Sequence, residues 1–433
     1  MLPQNHSPVL KNILWTLIDR AGKMLIAFST GIIVARILAP ETYGTLNLAN
    51  AVVGVVSFLN LGAIEAIVIL NLAREPESKE EILGSAVFLR LIGGGLTILT
   101  VLGITKLVDQ YSSTIAIIAP ILAITTLFNA MEIGEYWLRK VLASKYGVIS
   151  RQIALLFGAG GRIWAALSDS PLIMLATVSA GEAMLICIGL ALSLDKLHTP
   201  PWHWKISKQR CEQIFTNALP LLLASAAVGL YARIGIVILG NGQSTEAVGY
   251  LGVATIMAEA THALPAAIMS SLAPILLAKR SEREFEYHFK HWINRITWLG
   301  IATCLGLFVL APGLLHLFFG TQYNGAISVF KILIWSALFV FISIVSEAWI
   351  VRHNLQRYQL PKTLLAAAFS IALNLKLSSS MGAEGTAIAT VISYSVSAFW
   401  SNLIFRNTRP LFLLQLSSLF PLFPCKRKTI QDV

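Results

Sequence analysis

Charge is scarce in this sequence. Of its 433 residues, 13% are Asp, Glu, Lys or Arg, roughly half the share found in a soluble domain. Hydrophobic residues make up 56% and the mean hydropathy is +0.71, so the chain cannot cover its apolar surface in water. It reads as integral to a membrane. Cysteine is sparse too: Cys187, Cys211, Cys304 and Cys425 show no CxxC or metal-ligand spacing, which excludes a disulfide framework or a structural zinc site. There is no HExxH, no nucleophile–base constellation and no catalytic carboxylate pair in a soluble region. "GAGG" at 158–161 follows no strand, so a dinucleotide reading fails on context. No enzyme activity, metal or cofactor is expected, and neither a cleavable leader nor a water-soluble domain.

What the chain has is long apolar runs. At about 20 apolar residues per span, twelve candidates emerge: 12–38, 46–70, 83–105, 114–138, 147–167, 172–194, 213–240, 246–277, 292–319, 326–350, 361–379 and 384–405. The stretch "LFLLQLSSLFPLFP" at 411–424 is short and Pro-broken, and reads as an interfacial or fraying segment rather than a thirteenth span. The net charge of +11 does not gather into a nucleic-acid patch. Of the 33 Lys and Arg, seven fall within spans (Arg20, Lys23, Arg90, Arg151, Arg233, Arg295, Lys331) and only Arg36, Lys106, Arg162 and Lys376 fall in one set of alternate loops. The other 22 lie on the side of the termini, which the positive-inside rule makes cytoplasmic.

A short internal repeat divides the chain. "ETYGTLNLA" at 41–49 and "EAVGYLGVA" at 246–254 share Glu41/Glu246, Gly44/Gly249, Leu46/Leu251 and Ala49/Ala254, all offset by 205. Each opens the second span of a six-span half, and because six is even the halves are parallel. The expected organisation is an all-α membrane protein of two six-helix lobes, 1–194 and 213–406. Residues 195–212 form a polar, Pro-containing cytoplasmic linker, and 407–433 a cytoplasmic or interfacial tail.

"IIVARILAPETYGTLNLA" resembles the first-to-second span junction of the polysaccharide and lipid-linked oligosaccharide flippases of the multidrug/oligosaccharidyl-lipid/polysaccharide superfamily, in its O-antigen (Wzx-type) branch. Arg36, Leu38, Pro40, Glu41, Tyr43 and Gly44 carry the likeness. "ALNLKLSSSMGAEGTAIATVISYSVS" at 372–397 resembles the family's late signature through Gly382, Gly385, Thr386, Ala387, Ala389 and Thr390. The chain departs from the family with "SSSM" where a Pro often precedes the late Gly, and with Lys376 in that helix end. The lipid II flippase branch usually has two further spans, so the likeness favours the O-antigen or exopolysaccharide branch. It implies a MATE-like fold in a bacterial inner membrane. The implied substrate is a polyprenyl-pyrophosphate-linked oligosaccharide moved between leaflets by alternating access. A monomer working beside a polysaccharide polymerase and assembly proteins is expected.

Charges inside the spans are the candidate site, since each costs at least ~2.5–3.5 kcal/mol near the bilayer centre. Asp19 and Lys23 are four apart and can neutralise each other. Arg20 has no acidic partner at helical spacing and is expected to face a cavity, where its planar fork suits a pyrophosphate. The lipid II branch also places a cavity Arg in its first span. Arg233 occupies the repeat-related span seven and is the second candidate. Lys23, Arg90 and Arg151 complete the substrate set, although Arg90 and Arg151 lie near enough to the cytoplasmic side to snorkel, as does Arg295. Glu135 can pair with Arg139, and Glu132 can reach Tyr136. Glu259 and His262, three apart before Pro265 and Pro274, either form an interhelical hydrogen bond or titrate and couple transport to protons. Glu65, without a local partner, is a cation site or a counter-ion. A cation-coupled multidrug exporter and a membrane glycosyltransferase or polymerase are the competing readings.

Overall fold

The structure, a computed structural model, describes residues 7–107, 111–242 and 244–420. The end of the 411–424 stretch, Cys425 and the tail cations at 426–428 lie outside the described residues. Nine helical segments among the described residues are long and apolar enough to cross a membrane, the last of them, Gln356–Ile404, running to 49 residues. That last segment is two spans. Its helix Gln359–Ser395 turns at Gly382, where φ is +57° and ψ is −132°, a conformation L side chains avoid. Two further helices, Ser7–Ile37 and Ser144–Ala166, carry Asp19, Arg20, Lys23 and Arg151 and fall outside the nine. The count is the expected twelve.

In chain order the helices are α1 (Ser7–Ile37), α2 (Pro40–Val56), α3 (Glu65–Arg74), α4 (Lys79–Leu107), α5 (Ser113–Phe128), α6 (Ile133–Lys140), α7 (Ser144–Ala166), α8 (Pro171–Asp195), α9 (Lys208–Gly242), α10 (Thr245–Ala260), α11 (Ala263–Leu277), α12 (Glu282–Phe319), α13 (Ala326–Leu333), α14 (Trp335–Arg352), α15 (Gln359–Ser395), α16 (Ser401–Ile404) and α17 (Arg409–Leu419). Spans two, four, eight and ten are each broken in the middle, into α2/α3, α5/α6, α10/α11 and α13/α14. The breaks therefore recur six spans apart, one pair in each half. The eighth span breaks at Thr261 and His262 because Pro265 has no N–H to give the carbonyl one turn back.

The repeat glycines sit where the halves meet. A side chain on Gly44 would run into the Thr245 carbonyl, and one on Gly249 into the Pro40 carbonyl. Pro40 and Thr245 are themselves 205 apart, so the crossing of α2 and α10 is reciprocal about the pseudo-two-fold. The same end is closed further by Tyr323, whose hydroxyl donates to the carbonyls of Ala35 (2.8 Å) and Leu38 (3.2 Å). Arg36 Nη1 donates to the Leu317 carbonyl at 2.9 Å. This is the end poor in Lys and Arg. Toward the basic end, Leu14, Leu17, Ile18 and Leu25 of α1 are exposed.

The polar linker is strapped to the first half. Ser207 N–H donates to Ser85 Oγ at 3.1 Å, and Lys205 N–H to the Glu80 carbonyl at 3.2 Å. The first turns of α9 follow it there: Ile214, Ala218 and Leu222 are buried in one cluster with Leu61, Val68 and Leu83. Helix α17, with 11 residues, is about 16 Å long and too short to span. It is packed into the second half, where Gln415 Nε2 donates to Ser346 Oγ (2.8 Å) and Gln415 Oε1 accepts from Asn402 Nδ2 (3.0 Å).

Candidate functional site

Helix α1 aims its charges in two directions. Asp19, one of its buried residues at 5% exposure, faces α7. It accepts from Arg151 Nη1 at 2.9 Å, Gln152 Nε2 at 3.2 Å and Lys23 Nζ at 3.3 Å. Arg151, 3% exposed, also pairs with Glu135. From Glu135 the chain of charges continues to Arg139 at 3.4 Å, and from Arg139 to Glu65 at 3.2 Å. Asp19, Glu135 and Glu65 thus balance Lys23, Arg151 and Arg139 within a packed interface of α1, α3, α6 and α7.

That network corrects several expectations. Arg151 does not snorkel to the surface, because two carboxylates hold it buried between α1, α6 and α7. Arg90 is likewise buried, with Nη2 at 3.5 Å from Glu132, so Glu132 has a basic partner rather than Tyr136. Glu65, expected as a cation site or a counter-ion, pairs with Arg139 of α6, 74 residues along the chain. Lys23 is shared between its bond to Asp19 and a half-exposed flank.

Arg20 points the other way. A helix turns about 100° per residue, so Arg20 shares a face with Met24 and Ala27, which line a cleft of about 280 Å³ against Ile256, Glu259 and Ala260 of α10. Arg20 is exposed and, among the described residues, has no carboxylate within 4.0 Å. Arg233 is half-buried and likewise has no carboxylate within 4.0 Å among the described residues. Its stem leaves α9 and passes Gly54 of α2, where a methyl group would come within 3.4 Å of Cγ, so it reaches from the second half to the first. Two interior guanidinium groups therefore have no acidic partner among the described residues, both in the first span of a half.

Glu259 and His262 lie at the α10 break and line one small pocket with Thr390 and Tyr394. Their backbones are bonded, His262 N–H to the Glu259 carbonyl at 3.0 Å. Their side chains do not pair: Glu259 lines both this pocket and the cleft, while His262 Nε2 is buried without a partner among the described residues. The expected carboxylate–imidazole contact is not formed. On the opposite side of the first half, Arg162 Nη2 donates to Glu182 at 2.9 Å, a pair that helical spacing within one span could not reveal.

The family described as "Polysaccharide biosynthesis protein" matches residues 33–328. The chain belongs to that family. No curated protein matches it significantly. Among solved structures, the lipid II flippase MurJ in an inward closed conformation is similar over 94% of this chain and 91% of that one, at 15% identity and TM-score 0.71. An inward-facing multidrug resistance MATE family transporter of the MOP superfamily matches over 94% and 99%, at 16% identity and TM-score 0.65. A MOP superfamily transporter from Pyrococcus furiosus matches over 95% of each chain, at 14% identity and TM-score 0.55. At these identities the likeness establishes the fold: an all-α membrane protein of the MATE-like, two-half architecture.

Proposed function

We propose that this protein is a flippase carrying a polyprenyl-pyrophosphate-linked oligosaccharide, the repeat unit of an O-antigen or exopolysaccharide, across a bacterial cytoplasmic membrane. One observation carries the reading. Of the interior arginines named as substrate ligands, Arg151 is held by two carboxylates and Arg90 is buried with one long contact to Glu132, whereas Arg20 and Arg233, on repeat-related spans, have no acidic partner among the described residues. An unpaired guanidinium inside a membrane protein is costly and suits an anionic group that arrives with the substrate. In this reading, residues 1–194 and 213–406 rock about the linker while the lipid tail stays in the bilayer. Lys23 supports the headgroup from the rim of the cleft, and Glu259 and His262 respond to the coupling ion. Family membership and the MurJ-like and MATE-like fold are consistent with it.

Glu259 in the cleft favours one alternative, a cation-coupled multidrug exporter, because a carboxylate attracts cationic drugs. Cells separate the two. Deleting the protein should remove surface polysaccharide and leave drug sensitivity unchanged. Arg20→Ala and Arg233→Ala should each remove most of it at normal protein level, since a lost charge-assisted contact of about 1.5–3 kcal/mol corresponds to roughly 10- to 150-fold in affinity. Full activity in both variants, or a drug phenotype with intact polysaccharide, contradicts the reading.

A further inference from the structure

Helix α12 starts well beyond its span. Its 38 residues reach about 57 Å, against a hydrocarbon core of about 30 Å, so its first turns stand in the headgroup region at the basic end of the molecule. Those turns set Arg283, Tyr287 and Lys290 on one face, at the four- and three-residue steps of a helix. Helix α17 sets Leu413 and Leu414 opposite, and Trp349 of α14 joins them around a groove of about 650 Å³. One acid, Glu286, shares the wall.

The cations of this groove differ from those around it. Lys279 is paired with Glu284 at 2.7 Å, and Arg352 with Glu282 at 3.2 Å. Arg283 and Lys290 have no carboxylate within 4.0 Å among the described residues, and Leu413 beside them is 62% exposed. A net positive, half-apolar groove at headgroup height is complementary to a lipid that carries a negative phosphate and an acyl chain.

We propose that this groove is a binding site for an anionic phospholipid of the leaflet at the basic end, with its phosphate between Arg283 and Lys290 and its chain along Leu413 and Leu414. None of the lining residues comes from α1, α9 or α10, so the site is separate from Arg20 and Arg233 and is independent of what the protein transports. Each cation near such a surface is worth about fivefold in affinity.

The test titrates short-chain phosphatidylglycerol and phosphatidylcholine into the purified full-length protein in detergent and follows thermal stability. Phosphatidylglycerol should stabilise the wild type saturably and phosphatidylcholine far less. Arg283→Gln/Lys290→Gln should weaken the apparent Kd about 25-fold. Leu413→Trp, which keeps every charge but fills the groove, should weaken it as well and serves if the double variant fails to fold. Equal Kd values for the two lipids, unchanged Kd in both variants, or displacement by an equimolar polyprenyl phosphate would overturn the proposal.

Discussion

Removing Arg151 would leave Asp19 and Glu135 buried with one cation fewer between them. Breaking a buried pair in this way costs about 3–5 kcal/mol, so Arg151→Met should lower the amount of folded protein in the membrane, measured by fluorescence-detected size exclusion. Arg20→Ala should not, because Arg20 balances no carboxylate in the fold. The same chemical group is structural in one position and free in the other, and only the surroundings tell them apart. Helical spacing reveals partners within a turn: Asp19 with Lys23 and Glu135 with Arg139 are both four apart and both formed. It cannot reveal that Arg151, 132 residues from Asp19, arrives from another span. For that reason the sequence shows that Arg20 has no acidic partner at helical spacing, but not which distant residues meet Arg90, Arg151 and Glu65.

Elements were legible where their chemistry is local. Apolar runs locate the spans, and Pro265 marks the break in the eighth. The break in the second span, through Ser57–Asn60, contains no proline; it passes through Leu61 at φ +56° into Gly62, so Asn60 and Gly62 are its local signal. The late Gly-x-x-Gly pattern gains a physical reason. Gly382 turns the chain between spans eleven and twelve at positive φ, and a side chain on Gly385 would meet the Leu377 carbonyl. Gly382→Ala should therefore destabilise by about 1–2 kcal/mol. Gly103→Ala, in a helix with open space around it, should stabilise by about 0.5–1 kcal/mol, and melting temperatures in detergent compare the two. The linker strap adds a pH dependence. The hydrogen bond from Arg210 holds the Glu75 carboxyl below its usual range, so the strap's contribution is complete near neutral pH. It is lost as pH falls below about 4. Glu75→Gln should melt slightly below the wild type at pH 7, and the two should converge toward pH 3.

At the scale of the molecule, the halves are related by more than a repeated motif. Breaks recur six spans apart, the open arginines sit in spans one and seven, and Gly44 and Gly249 cross reciprocally where α2 meets α10. Discontinuous helices at matching positions of two repeats are where a transporter's binding site is expected. The cleft with Glu259 lies at one such break. The closure through Tyr323, Arg36 and the two glycines lies at the Lys/Arg-poor end, while toward the basic end the Leu14, Leu17 and Ile18 side chains of α1 are exposed.

The central claim, that Arg20 and Arg233 accompany a pyrophosphate headgroup between leaflets, is tested most directly by reconstitution. Proteoliposomes carrying a fluorescent polyprenyl-pyrophosphate oligosaccharide would report its transfer by loss of protection from a membrane-impermeant quencher. The wild type should transfer the lipid, Arg20→Ala/Arg233→Ala should slow transfer at least tenfold, and Arg20→Lys should fall between because an ammonium keeps the charge without the fork. Equal rates for the wild type and the double variant would contradict the account.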